Sequence, residues 1–295
     1  MIDFKEIELK DKEWADHLLT HSGYQGAEYC FTNLYIWDGI YKSKIGRYKD
    51  FLILRTGTEG DYHYLYPPGR GDKREIIDLL INEAESGDYP LSFIGLTRET
   101  REELNRLFPN KFRFTPVRDS FDYIYEVEKM ISLTGKKLQP KRNHLNYFST
   151  NYKWSYDVLT EKNIDEVLDF NHEWCIRADC SKYETLSWES CAVEKCLANY
   201  GRLNLIGGLL RVEGEVVAYT IGEALNTNTF IVHIEKAFPD VRGAYPMINR
   251  EFLKRNATMF NYVNREDDIG DEGLRKAKES YYPIFMLEKF SAKLF

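Results

Sequence analysis

A single layout occurs twice in this chain of 295 residues, and that recurrence constrains the fold more than any one motif. Tyr62–Tyr66 (YHYLY) reads as a strand and Pro67-Pro68-Gly69-Arg70-Gly71-Asp72 as a sharp turn. Ile76, Ile77, Leu80 and Ile81 then form the apolar stripe of a helix. In the second half the strand Thr229–Lys236, the turn Phe238-Pro239-Asp240-Val241-Arg242-Gly243 and the helix Tyr245–Arg255 follow in the same order. Little residue identity accompanies the shared layout. Duplication of one α/β unit explains it; the alternative is chance recurrence of common α/β punctuation. The chain then divides into an N-terminal domain 1–128, a basic junction 129–150 and a C-terminal domain 151–295.

Apolar residues make up 43% and charged residues 29%, enough to build a full core. The formal charge of −7 argues against a general nucleic-acid binder, and no DNA-reading motif offsets it. Yet Lys136, Lys137, Lys141 and Arg142 concentrate four cations in the junction. The 21 Tyr, 17 Phe and 5 Trp fill cores and line clefts, so they hint at a groove. No apolar run is long enough for a membrane helix, and the N-terminal MIDFKEIELKDKEW lacks the apolar core of a signal peptide. Five Cys without a CxxC pair point to a reducing cytoplasm. Cys175/Cys180 and Cys191/Cys196 are each five apart, too far round a helix for one metal face, so they read as buried thiols.

On the strand Thr229–Lys236 the period of two puts Phe230, Val232 and Ile234 on one face and Ile231, His233 and Glu235 on the other. A His and a Glu two apart on a central strand are costly to bury unless paired or functional. Glu235 is therefore a candidate base; a salt bridge to Lys236 or Arg265 is the competing reading. Two ligands with no third at known spacing do not make a metal site. After the strand Phe260–Val263, Asn264-Arg265-Glu266-Asp267-Asp268 sets one cation and three carboxylates where a cleft mouth belongs. They suit a substrate ammonium, or else form a solvated loop. Asn163 and Glu166 have capping-box spacing, and Ile284–Phe290 reads as the last strand.

The order of elements in the second half resembles the GNAT acyltransferase fold. RVEGEVVAYTIG is similar to that family's second and third strands with their short turn. Val241-Arg242-Gly243-Ala244-Tyr245 lies where its R/Q-x-x-G-x-G/A pyrophosphate loop belongs, keeping Arg242 and Gly243 without the full spacing. Ala277 and Tyr281 fit its N-x-x-A-x-x-x-Y pattern, with Leu274 in the Asn position. A closer resemblance runs through 134–148, 233–253 and 262–283. These stretches are similar to the C-terminal catalytic domain of phosphatidylglycerol lysyltransferases, tandem GNAT domains related to Fem-type aminoacyl transferases.

The resemblance implies an α/β architecture of two tandem GNAT-like domains, each a mixed sheet flanked by helices, with the active cleft in the second. It implies transfer of an activated acyl group, from aminoacyl-tRNA or acyl-CoA, to an amine or hydroxyl on a small molecule or lipid head group. No tightly bound cofactor and no metal are expected. Arg242, Gly243, Ala244 and Tyr245 would meet the donor phosphates with Arg275 and Lys278; a solvated helix face is the plainer reading of the last two. Tyr281 would be the general acid beside the base Glu235. Read from the residues themselves, Lys141, Arg142 and Asn143 combine phosphate partners with an amide and either reach the cleft or form a basic linker on the acidic surface; His233, Asn264, Arg265, Asp267 and Asp268 are the other candidate substrate contacts. Pro67 and Pro68 remove N–H donors from the first-half turn, so the first domain reads as structural or acceptor-shaping. The membrane-spanning half of the lipid synthases is not in this sequence, which leaves lipid access open. A non-catalytic ligand-binding module on a duplicated scaffold is the alternative. The oligomeric state is not fixed by the sequence.

Overall fold

The computed structural model describes residues 2–295. The first half contains α1 (Lys12–Ser22), α2 (Phe31–Ile36), α3 (Asp38–Tyr41), β1 (Lys44–Tyr48), β2 (Phe51–Thr58), β3 (Asp61–Leu65), α4 (Lys73–Ser86), β4 (Ser92–Leu96), α5 (Arg98–Leu107) and β5 (Phe112–Pro116). Then come β6 (Asp122–Glu126), α6 (Val127–Ser132), α7 (Gln139–Asn151), β7 (Trp154–Val158), α8 (Ile164–Arg177), α9 (Glu184–Ala198) and α10 (Tyr200–Leu203). The chain closes with β8 (Ile206–Val212), β9 (Glu215–Ala224), β10 (Thr229–Ala237), α11 (Ala244–Asn256), β11 (Tyr262–Asn264), α12 (Glu272–Glu279), β12 (Phe285–Leu287) and β13 (Phe290–Leu294).

Two compact units result. The first comprises Met1–Asp122, Asp267–Glu272 and Met286–Phe295, the second Tyr123–Glu266 and Gly273–Phe285. Their sheets run β1-β2-β3-β4-β13-β5 and β12-β6-β11-β10-β9-β8-β7. The division therefore falls at 122/123 rather than in the basic stretch. The expected junction 129–150 is instead largely helical, within the second unit. The expected strand Ile284–Phe290 is two short strands, β12 and β13, in different sheets.

In the first unit the α4 stripe is buried as its spacing requires: Ile76, Ile77 and Leu80 are inaccessible and pack with Phe51, Tyr64, Tyr66 and Phe93. Each such side chain contributes roughly 1.5–3 kcal/mol on burial. Asp72 caps the helix by accepting from the Arg74 and Glu75 N–H groups. β13 lies between β4 and β5 and is antiparallel to both. Just before it, Lys289 is buried with its ammonium 2.6 Å from Asp122 and 2.7 Å from Glu28. Asp122 also accepts the Ala27 N–H at 2.8 Å. One buried cation thus holds two carboxylates.

In the second unit the β8–β9 hairpin turns at Glu213 and Gly214, both at positive φ (50° and 94°), as a type I′ turn demands. Asn163 does not form the capping box: Glu166 is drawn to Arg211 at 2.6 Å, because a bidentate guanidinium outcompetes a backbone N–H. Cys180 and Cys196 are buried but Cys191 is exposed. α8 ends at Arg177, and the turn at Asp179 (φ 55°) brings the Cys175 and Cys180 thiols into hydrogen-bond contact, against the helical spacing argument. Among the described residues, no helix is long and apolar enough to cross a membrane.

Candidate functional site

The site grows from the parting of two parallel strands. β10 pairs with β11 only over Thr229–Ile231, against Tyr262–Asn264. Beyond that point the pairing between them stops. There Arg265 Nη2 donates to Glu235 Oε1 at 2.7 Å. Asn249 on α11 donates to Glu235 Oε2 at 2.6 Å. Both side chains of the ion pair are about nine-tenths buried, at 11% and 8% exposure.

Strict alternation does not place Glu235 there. Its antiparallel register with β9 shifts between Val232 and Ile234, a β-bulge that absorbs His233. Phe230 packs against Phe252 of α11, while Lys236, an even number of residues on, reaches Glu189 of α9 and Trp174 of α8. The bulge thus exchanges the faces for the second half of the strand and turns Glu235 toward α11. Of the two partners the sequence offered Glu235, it takes Arg265, not Lys236.

Tyr281 closes the constellation. It is 6% exposed, and burial pushes its phenol well above the ordinary range. Two cations meet its ring: Lys141 Nζ at 4.0 Å from the centroid and Arg265 Cζ at 5.0 Å. Tyr125 lies on the same guanidinium at 5.8 Å. Lys141 comes from α7, and burial, reinforced by the nearby Arg265 charge, lowers its ammonium to about 8 against the pull of Glu235. Among the described residues the Lys141 ammonium has no hydrogen-bond acceptor or ion-pair partner. Arg265 Nη1 is likewise buried without a hydrogen-bond acceptor.

Other expected site residues have different duties. His233 is 1% exposed, with Nδ1 2.9 Å from Glu266 and Nε2 3.1 Å from Glu223. Both ring nitrogens are engaged, so His233 has no free nitrogen for a substrate. Asn264 is buried and accepts the Glu266 N–H at 2.7 Å. Asp267 and Asp268 belong to the first unit; Asp268 is inaccessible, paired with Arg118 at 3.0 Å. Lys278 is buried, its ammonium 2.7 Å from the Arg265 carbonyl, so it positions Arg265 rather than a phosphate. Arg275 on α12 is half-buried. Arg142 donates to the Leu133 and Gly135 carbonyls and ties α6 to α7. Asn143 is exposed and bonded to Gln139.

The Arg242–Tyr245 turn has only part of its backbone left for a phosphate. Gly243 is at φ 92°, and a Cβ there would lie 2.5 Å from the His144 carbonyl of α7. The Ala244 and Met247 N–H groups are spent on Val241 and Gly243 carbonyls, and Pro246 has none. Arg242 is exposed and stacks on Tyr147 at 4.2 Å. Burial raises the Tyr245 phenol. The proline argument applied to the first turn thus applies equally to the second. Asn249, Tyr125 and Pro246 were missed. Asn249 had a signal: it follows Met247 and Ile248 on the helix directly after the turn.

A second opening, of about 390 Å³, lies among α6, α7 and α11, with Arg142, Arg250 and Lys254 in its lining. His144 nearby is exposed, and its imidazole is lowered by partial burial and by the charges of Arg242 and Lys141.

Two mixed sheets flanked by helices, with parallel strands that part beside a buried acid, define a tandem GNAT-like α/β protein. The chain belongs to the family of phosphatidylglycerol lysyltransferase C-terminal domains, which matches residues 20–293. A conserved protein of unknown function from Bacteroides thetaiotaomicron VPI-5482 is 38% identical over the full length of both chains, with a TM-score of 0.96. The structure of L-PGS from Bacillus licheniformis superposes with a TM-score of 0.67 at 16% identity, covering 96% of this chain and 91% of that one. FemX superposes with a TM-score of 0.62 at 7% identity, covering 99% and 97%. The last two likenesses are of fold.

Proposed function

We propose that the chain is an aminoacyl transferase that moves an amino acid from the ester of aminoacyl-tRNA to an amine or hydroxyl acceptor. The observation that carries this reading is the buried Glu235–Arg265 pair where β10 and β11 part, with Tyr281 against it. The acceptor N–H or O–H attacks the ester carbonyl. Its proton passes to Glu235, whose oxygens each keep a second lone pair beside the Arg265 and Asn249 bonds. The ester C–O bond breaks, Tyr281 gives its proton to the departing ribose oxygen, and the proton on Glu235 returns to Tyr281 through solvent. A phenol raised by burial is protonated at neutral pH and suits that donation.

The donor is read as an aminoacyl ester rather than acyl-CoA because, in the turn that would hold a pyrophosphate, the Ala244 and Met247 N–H groups are spent on carbonyls, Pro246 has none and Gly243 is packed against α7. The basic opening at Arg142, Arg250 and Lys254 offers cations to an RNA backbone instead. The acceptor includes lipid head groups, by analogy with the family's name.

The test is transfer of radiolabelled amino acid from a set of aminoacyl-tRNAs, with acetyl-CoA in parallel. Glu235→Gln and Tyr281→Phe should each lower transfer by about 10²–10⁴-fold. Acetyl-CoA turnover with no use of aminoacyl-tRNA would overturn the donor. Transfer unaffected by both substitutions would overturn the site. Ligand binding without any transfer favours a non-catalytic module, a reading that the full engagement of His233 supports.

A further inference from the structure

We infer that the Lys141–Arg265–Tyr281 constellation is a receptor for a singly charged oxyanion, a carboxylate or a phosphodiester, carried by the substrate. It deepens the transferase reading by giving the acceptor a charge class, and rests on that reading only for the claim that the ligand is a substrate.

Two unspent donors converge on one ring. Arg265 uses Nη2 on Glu235, whereas Nη1 is buried with no acceptor among the described residues. An unmade hydrogen bond from a buried charged group is costly, so a retained one points to a ligand that completes it. Lys141 brings an ammonium 4.0 Å from the Tyr281 centroid with no acceptor either. Fully paired cations elsewhere in the molecule show the contrast: Lys289 has two carboxylates, Lys236 has Glu189 and Lys278 has a carbonyl.

Charge sets the valence. Glu235 neutralises one of the two cations, leaving one positive charge in a largely buried setting. A monoanion balances it; a dianion overshoots and leaves a buried negative charge. The aromatic walls of Tyr125 and Tyr281 give the guanidinium little water to compete for its N–H groups, which strengthens a charge-assisted bond. Lys141, on the first turn of α7, comes to the anion with no hydrogen bond to give up; Arg265 is held by Glu235 and by Lys278 on its carbonyl.

The experiment is calorimetric titration of the full chain, at constant ionic strength, with acetate, dimethyl phosphate, sulfate and the uncharged analogues acetamide and trimethyl phosphate. At least one monoanion should bind about tenfold more tightly than its neutral analogue, and Lys141→Gln should abolish most of that difference. Acetate alone assigns a carboxylate-bearing ligand; dimethyl phosphate alone assigns a phosphodiester; both together support the class. The Lys141 side chain makes no hydrogen bond in the fold and its buried ammonium opposes folding at pH 7, so its substitution should not lower the melting temperature. Arg265→Lys, which keeps the charge but loses the fork, is the second variant and should weaken binding similarly. Monoanions no tighter than their neutral analogues, sulfate tighter than either, or binding indifferent to both substitutions would overturn the inference. Anion binding is read without turnover, so an inactive protein that still binds monoanions sinks the transferase reading alone.

Discussion

Arg265 Nη2 and Glu235 Oε1 lie 2.7 Å apart past the last paired residues, Ile231 of β10 and Asn264 of β11. Removing one partner leaves an uncompensated buried charge, which typically costs about 3–5 kcal/mol. Arg265→Met and Glu235→Gln should therefore each destabilise the protein, the latter less because an amide keeps the Asn249 contact. The double variant should lose at least about 1.5 kcal/mol less than the sum, measured by urea denaturation. Additive losses would show that the pair is not coupled.

The lysines with lowered ammonium groups give a pH dependence of fixed sign. Lys141 is held at about 8 by burial and by Arg265, and Lys73 at about 8 by burial. Their ordinary value is 10.5, so between about 8 and 10.5 the unfolded chain binds more protons than the native one. Stability then rises with pH across that window. The urea midpoint should be higher at pH 9.5 than at 7.5, and the difference should shrink in a Lys73→Met, Lys141→Gln double variant. A monoanion at Lys141 favours the ammonium, so binding near pH 8.5 should take up protons, seen as a buffer-dependent heat.

Lys289 makes the opposite case. Its two carboxylates outweigh the burial that lowers it, so its ammonium is raised and its contribution persists until the pH passes its ordinary value. Lys289→Met leaves Asp122 and Glu28 facing each other without a cation, with an expected loss of about 3–5 kcal/mol at pH 7. The variant should recover part of that loss at pH 5, where a carboxyl can take a proton. A loss independent of pH would mean that packing, rather than charge, dominates.

Gly243→Ala tests the placement of α7. The residue sits at φ 92°, and the new methyl would lie 2.5 Å from the His144 carbonyl. The left-handed conformation alone costs about 1 kcal/mol, and the contact adds to it. The melting temperature should fall, and monoanion binding should weaken because Lys141 rides on the same helix.

Charge reversal at the basic opening separates RNA binding from chemistry. Arg250→Glu with Lys254→Glu should raise KM for aminoacyl-tRNA while kcat holds. The slope of log affinity against log salt should flatten by about one for each phosphate contact removed. An unchanged KM would place the RNA elsewhere.

Much of the site was legible in the sequence because its members are local signals. Glu235 is an acid on an apolar strand, Tyr281 lies four residues after Ala277, and Lys141 belongs to a dense basic stretch. What escaped was long-range or irregular. The bulge at Val232–Ile234 reverses the faces of β10, and no period of two can announce it. Asp267 and Asp268 come just after Arg265-Glu266 in sequence but belong to the other unit, where Asp268 finds Arg118, 150 residues away. The α4 stripe and the Glu213-Gly214 turn were readable because their physics lies within a few residues.

The position of β13 has a consequence for the order of folding. Among the described residues β5 is held in its sheet by β13, where Ser291 pairs with Thr115 across a separation of 176 residues. The sheet of the first unit therefore cannot close until the chain has run through the strands of the second, and the edges of β4 and β5 stay unsatisfied until then.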